Sequence, residues 1–151
     1  MSSVSLPLSI PLDDDGFIEL ECDFCKDRFM LSKDTFESDE NISFYCPICG
    51  LPNRINTFYT TDVLERARQQ AQNYMIDEIN KRFSGLSKKI NRSGVIKLKM
   101  NNPKHIQESE LYKPAIEYYK NKMACCNVLV KATNYDNEIG LYCPICGRTS
   151  L

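Results

Sequence analysis

The chain has 151 residues, of which 42% are hydrophobic and 26% are charged, and its formal net charge is −1 at pH 7. This composition is typical of a soluble globular protein, and the length suits one ordinary domain or two small ones. No apolar run approaches the roughly 20 residues that a membrane-spanning helix needs, so the sequence excludes a membrane protein. The first residues lack the features of a secretory signal, which favours the cytoplasm.

Charge is segregated along the chain. Residues 1–40 carry 11 acidic and 3 basic side chains, whereas residues 81–104 carry 8 basic and no acidic ones. An N-terminal tail over residues 1–15 contains part of the acidic charge. The segregation predicts either that the two regions neutralise each other or that the basic region contacts an acidic partner.

The first cysteine motif lies in residues 16–58. Cys22 and Cys25 form one C-x-x-C pair, and Cys46 and Cys49 form a second after an interval of twenty residues. Four thiolates at this spacing are typical of a tetrahedral zinc site. An iron site or metal-free thiols are the alternatives, and zinc is favoured because nothing nearby suggests electron transfer.

Strand patterns surround this motif. "FIELEC" alternates apolar and polar residues, "DRFML" can return from the first cysteine pair, and "NISFYC" leads into the second. Residues 16–52 therefore resemble a zinc ribbon, the small β-hairpin module of transcription factors and RNA polymerase subunits. The resemblance implies a structural site with four cysteine ligands and no particular activity.

A long amphipathic helix is predicted over residues 59–86, with Thr61 or Asp62 as the N-cap and Gly85 as the end. Its apolar residues recur at spacings of three and four: Leu64, Ala67, Ala71, Met75, Ile79 and Phe83. We expect this face to cover the ribbons, which bury little surface themselves. A dimer or a partner helix is the alternative.

A basic loop and a short strand are predicted over residues 87–110. In "VIKLKM", Ile96, Leu98 and Met100 share one face. The residues that can contact phosphates are Lys88, Lys89, Arg92, Lys97 and Lys99. The overall pI of about 5.9 places protein binding ahead of nucleic-acid binding.

The second cysteine motif lies in residues 111–151. "IGLYCPICG" at 139–147 repeats "ISFYCPICG" at 42–50 in seven of nine positions, with Cys143 and Cys146 as the pair. Upstream, Cys125 and Cys126 are adjacent, so both can bind one ion only if the backbone bends there. The alternatives are one of them with His105, or one with water; we favour all four cysteines. "VLVKATNYDNEIGLYC" is interpreted as two strands around a turn, and "KPAIEYYKNKMA" as a strand matching "FIELEC".

The whole order of ribbon, helix, basic linker and C-terminal ribbon resembles that of small bacterial zinc-ribbon proteins. We therefore predict an α+β protein of two zinc ribbons joined by one helix and packed together, with two Zn²⁺ ions that stabilise the fold. The single histidine and the thiol-rich sites argue against an enzyme. The favoured hypothesis is a non-enzymatic adaptor that binds a protein partner; the alternative is a nucleic-acid-binding accessory protein that uses residues 81–104.

Overall fold

A computed structural model describes residues 3–38, 43–97, 99 and 101–150. It contains two small antiparallel sheets and one long helix, which confirms the α+β class. The chain divides into two compact units. We call residues 9–64 and 111–150 the ribbon unit, and residues 3–8 and 65–110 the helical unit. No helix in the described ranges is long and apolar enough to cross a bilayer.

The ribbon unit is built on a four-stranded antiparallel sheet of order β1-β2-β6-β5. Its strands are β1 (Phe17–Glu21), β2 (Arg28–Ser32), β5 (Tyr119–Met123) and β6 (Val128–Ala132). Each predicted ribbon contributes one hairpin, and β2 joins β6 with Leu31 opposite Val130. The strands predicted from "FIELEC", "DRFML" and "KPAIEYYKNKMA" are confirmed.

The core of the ribbon unit lies on one face of this sheet. Leu20, Phe29, Leu31 and Val130 are fully buried, as their alternation along the strands predicts. Phe29 packs edge-to-face on Phe58, with ring centroids 5.9 Å apart. Both cysteine motifs border this single core, so each ribbon buries apolar surface that neither can cover alone.

Shorter elements complete the ribbon unit. Helix α1 (Lys33–Phe36) follows β2 directly, and Ser32 caps it by accepting a hydrogen bond from the Thr35 N–H. A two-stranded sheet joins β3 (Ser43–Tyr45) to β4 (Pro52–Arg54). A single 3₁₀ turn at Ile55–Thr57 then leads toward the long helix.

The long helix α2 covers Thr61–Arg92, and its limits differ from the predicted ones. Thr60 is the N-cap, because its Oγ1 accepts a hydrogen bond from the Val63 N–H. The helix does not end at Gly85 but continues to Arg92. Glycine costs about 1 kcal/mol inside a helix, which the helix-forming residues on either side offset. Residues 87–92 are therefore helical rather than a loop.

The face predicted to cover the ribbons is not buried. Leu64, Met75, Ile79 and Phe83 are all exposed. The buried residues at this helix are instead Val63 in its first turn and the polar Asn73. A regular spacing of apolar residues indicates a common face, but it does not say whether anything covers that face.

Residues 103–109, which we call the return segment, run antiparallel along α2. Asn73 holds its middle: Nδ2 donates to the Ile106 carbonyl at 3.0 Å, and Oδ1 accepts from the Ile106 N–H at 2.8 Å. Asn80 donates to the Pro103 carbonyl, and Gln69 accepts from the Ser109 N–H. Side chains at intervals of four and seven residues on one helix face thus satisfy the backbone of an extended segment.

Two further predictions about local structure need correction. "NYDNEI" is helix α3 (Asn134–Ile139), not a turn, because Thr133 caps it by accepting from the Asp136 N–H. Residues 95–97 and 99 form no strand, and Leu98 and Met100 of the predicted strand lie outside the described residues.

Candidate metal centre

The first four-thiol group forms where two turns meet in the ribbon unit. Cys22 and Cys25 lie in the turn between β1 and β2, and Cys46 and Cys49 lie in the turn between β3 and β4. Cys46 also donates its backbone N–H to the Leu51 carbonyl at 2.9 Å, which closes the second turn. All four sulfur atoms lie within 4.8 Å of one another.

The sulfur separations match those of a tetrahedral zinc site. Four sulfur atoms at a zinc–sulfur distance of about 2.3 Å are about 3.8 Å from one another. The Sγ atoms of Cys22 and Cys49 are 3.7 Å apart, and those of Cys25 and Cys46 are 3.8 Å apart. A disulfide needs about 2.0 Å, so these cysteines are unbridged thiols arranged around a common point.

The second four-thiol group consists of Cys125, Cys126, Cys143 and Cys146, also within 4.8 Å of one another. The turn between β5 and β6 is only four residues long, whereas the turn between β1 and β2 has six. Cys125 and Cys126 both lie in this tight turn. The backbone bends there, as it must if two adjacent cysteines are to bind one ion. Cys126 directly precedes Asn127 at a φ of 55°, as Cys25 precedes Lys26 at 62°.

His105 does not belong to this second group. Its Nε2 lies 2.6 Å from Oδ1 of Asp77, on the helical unit. The group that the structure assembles holds four thiols and no histidine. Of the three arrangements that the sequence leaves open, the structure therefore brings together all four cysteines.

The two groups differ in exposure to solvent. In the first group, Cys22 and Cys46 are fully buried and the other two cysteines are half-buried. In the second group only Cys143 is fully buried, while Cys125 and Cys126 are exposed. Two of the four thiols of the second group are therefore accessible to water.

The pKa is lowered for Cys22 in the first group and for Cys146 in the second. A backbone hydrogen bond from Arg148 is the main cause that lowers the pKa of Cys146 to about 7. Burial opposes the ionisation of Cys22, but hydrogen bonds from the Cys25 and Phe24 N–H groups outweigh it and lower that pKa. Burial raises the pKa of Cys46. The pKa is thus lowered for some thiols of these clusters and raised for others. A divalent cation stabilises the thiolate form of the cysteines that bind it.

The repeated CPxCG turns pack against each other. The Tyr45 N–H donates to the Pro144 carbonyl at 2.8 Å, and the Tyr142 N–H donates to the Pro47 carbonyl at 2.8 Å. The two hydrogen bonds are reciprocal, so the repeats are related by an approximate two-fold axis. This contact was not predicted from the sequence, although the tyrosine repeated before each motif was its signal.

Glycines make this contact possible. A Cβ atom on Gly147 would lie 2.8 Å from Cδ1 of Tyr45, and one on Gly50 would lie 3.0 Å from Cδ1 of Tyr142. Both glycines also have positive φ angles, of 73° and 74°. Each turn therefore needs glycine for its own backbone and for the tyrosine ring of the other turn.

The acidic tail is paired within the ribbon unit. Lys131 is largely buried and donates to carboxylate oxygens of Asp13 and Asp15. Lys120 forms a further ion pair with Asp15, and Lys113 pairs with Asp14. These aspartates are thus already neutralised by lysines near the second cysteine motif. Their partners could not be inferred from the sequence, because the pairs join residues about one hundred positions apart.

The predicted phosphate-binding residues all lie in the helical unit and are exposed. Lys88, Lys89 and Arg92 are on the last turns of α2, and Lys97 and Lys99 follow the helix. Among the described residues, none of the five has an ion pair within 4.0 Å. Their charge is accessible to a partner.

Comparisons with protein families, with curated proteins and with solved structures return no match to this chain.

Proposed function

We propose that this protein is a non-enzymatic adaptor whose ribbon unit is held together by two structural zinc ions. The observation that supports this most directly is the pair of four-thiol groups bordering one core. Cys22, Cys25, Cys46 and Cys49 would hold one ion, and Cys125, Cys126, Cys143 and Cys146 would hold the other.

The donor set favours a structural role. Four thiolates complete the tetrahedral coordination that zinc prefers, whereas catalytic zinc sites keep a position for water or substrate. Each group also joins segments far apart in the chain, so a bound ion would replace much of the apolar burial that such short strands lack.

Exposed apolar side chains support an adaptor. Phe24 lies in the turn of the first four-thiol group, and Leu51 follows Cys49 and Gly50; about half of each side chain is exposed. Further exposed apolar residues lie along α2. Apolar side chains on rigid turns and helices are the usual anchors of protein interfaces.

Native mass spectrometry tests the zinc proposal. We expect two zinc ions per chain, one ion after Cys49→Ser and one after Cys146→Ser. Cobalt titration provides an independent count of the sites, because cobalt bound by four thiolates has a characteristic visible absorption. A wild-type chain that binds fewer than two ions under zinc-replete conditions would contradict the proposal.

The adaptor role needs a separate experiment. Wild type and a Phe24→Ser, Leu51→Ser variant would be used as bait in extract of the source cells, since both substitutions change exposed side chains only. A partner retained by wild type, lost by the variant and reconstituted from purified components supports the proposal. Tyr135→Ser, which changes an exposed aromatic residue on α3, is the matched control. Zinc content of every variant separates a failed interaction from a failed fold.

A second candidate function is binding of nucleic acid, favoured by the distribution of charge on α2. At 100° per residue, Lys81, Arg82, Lys88, Lys89 and Arg92 fall within about 120° of the helix circumference. Lys81 has only a long contact of 3.9 Å with Glu78. A basic face of this kind can follow a phosphate backbone.

Binding of labelled DNA and RNA across a range of salt concentrations tests this candidate. Micromolar or tighter binding that weakens steeply with salt and is lost in a Lys88→Glu, Lys89→Glu, Arg92→Glu variant supports it. The matched control is Lys33→Glu on α1, an exposed lysine of the ribbon unit. Absence of binding at low salt rejects it.

A further inference from the structure

The exposed apolar residues of α2 form one continuous stripe. Met75, Ile79, Phe83 and Leu86 are 61%, 40%, 42% and 51% exposed, and Ile90 extends the row. At 100° per residue these five positions lie within about 80° of the helix circumference and extend over about 22 Å. The return segment occupies a different face, through Gln69, Asn73 and Asn80. We call these five residues the α2 stripe.

From this stripe we propose that α2 pairs in an antiparallel manner with α2 of a second copy of the chain. A two-fold interface must be self-complementary. The α2 stripe meets this condition, because its spacings of 4, 4, 3 and 4 residues read almost the same in both directions. With the axis between residues 82 and 83, Met75 faces Ile90 of the second copy and Ile79 faces its Leu86. Phe83 then lies near the axis.

Charge along the helix selects the antiparallel direction. The acidic residues of α2 are Asp62, Glu65, Asp77 and Glu78, all in its first eighteen positions, whereas positions 79–92 contain five basic residues and no acidic one. Parallel pairing would place these basic turns beside each other. Antiparallel pairing separates these turns except at Arg82, which lies close to the axis in both copies. It also brings Glu78 within two residue positions of Lys89 of the second copy, twice per dimer.

The extent of the α2 stripe sets the strength of the pair. Stable interfaces bury roughly 1,000 Å² or more. The four exposed side chains of each copy are only 40–61% exposed, so by themselves they bury less than that. We therefore expect a dimer that forms in the micromolar range and dissociates on dilution. Nothing in this pairing depends on the adaptor or nucleic-acid proposals, or on occupancy of the second four-thiol group.

Sedimentation velocity of the zinc-loaded full chain across about 1 to 200 µM tests the proposal. We expect the weight-average mass to rise toward twice the monomer value in wild type. An Ile79→Gln, Phe83→Gln variant should dimerise at least about tenfold more weakly, since each anchor removed from an interface centre commonly costs more than 1 kcal/mol. The control is Leu64→Gln, which changes an exposed residue of the same helix outside the α2 stripe.

A charge exchange tests the direction of pairing. Glu78→Lys alone and Lys89→Glu alone should each weaken the dimer, because each places like charges opposite one another. The double variant should recover most of the wild-type affinity. The proposal is overturned if the chain stays monomeric throughout the range, or if the stripe variant does not weaken the dimer. The antiparallel arrangement is overturned if the double variant does not recover affinity. Circular dichroism verifies that each variant retains its helix.

Discussion

Substitution of Gly147 by alanine tests the packing of the two CPxCG turns. The new methyl group would lie 2.8 Å from Cδ1 of the Tyr45 ring, closer than real Cβ contacts. The backbone at this position also has a φ of 73°. Two separate penalties therefore act at one site: a steric contact with the other turn and a backbone conformation that alanine avoids.

The two penalties have different sizes and can be separated. The left-handed backbone costs a non-glycine residue about 1–2 kcal/mol. Forcing an extra methyl group against a packed ring costs about 1–3 kcal/mol more. Gly16→Ala is the control, because its φ is 80° but no atom lies within 4 Å of the added Cβ. We expect Gly147→Ala to lower the free energy of unfolding by about 2–5 kcal/mol and Gly16→Ala by about 1–2 kcal/mol.

Denaturant unfolding at a fixed, saturating concentration of free zinc measures both values, since metal occupancy otherwise shifts the equilibrium. A double-mutant cycle with Tyr45→Leu isolates the contact. The smaller side chain should relieve the clash, and we expect a coupling of at least about 1 kcal/mol. Equal destabilisation by Gly147→Ala and Gly16→Ala, together with no coupling to Tyr45, would falsify the reciprocal packing of the turns.

Three further predictions concern other parts of the molecule. Lys131→Met should lower the free energy of unfolding by about 1–2 kcal/mol, because Asp13 then has no lysine partner and Asp15 keeps only Lys120. Burial alone would lower the pKa of Lys131, but its aspartate partners raise it. Because the pairs also need ionised Asp13 and Asp15, whose pKa values are lowered from 3.8, the wild-type advantage should be complete between pH 3.8 and 10.5. It should decline as pH rises through the folded pKa of Lys131, which paired unfolding curves at pH 7 and above 10.5 measure. A chelator should remove zinc faster from Cys49→Ser than from Cys146→Ser, because Cys49→Ser keeps only the exposed second group. A competitive dye assay measures both rates, and equal rates would contradict this. Asn73→Ala should speed amide hydrogen exchange of Ile106 at least about tenfold and leave the zinc content unchanged. Unchanged exchange would show that the Asn73 side chain does not hold the return segment.

Strands β1, β2 and β5 were predictable because their signals are local. Alternation in "FIELE" predicts a half-buried strand, and β1 has that pattern of burial. The cysteine spacing likewise predicts the first four-thiol group, because ligands that bind one metal must lie on tight turns. The end of α2 was mispredicted at Gly85, since a glycine signals a helix end only when the residues after it cannot continue the helix.

Other features depend on residues that are distant in the chain. The exposed α2 stripe and a buried helix face have the same sequence pattern, so periodicity could not distinguish them. The pairing of Lys131 with Asp13 and Asp15 joins the second hairpin to the N-terminal tail. No local pattern connects these residues.

The sequence by itself determined which side chains can bind metal, where strands β1, β2 and β5 and most of the long helix form, and where charge accumulates. These properties follow from residue type and short-range spacing. Tertiary structure alone decided that β2 of one ribbon joins β6 of the other. It also decided that adjacent Cys125 and Cys126 meet the second CPxCG turn, and that Tyr45 and Tyr142 each pack on the turn of the other repeat. Such contacts are selected by burial of a shared core and by backbone hydrogen bonding between distant segments, which no short stretch of sequence contains.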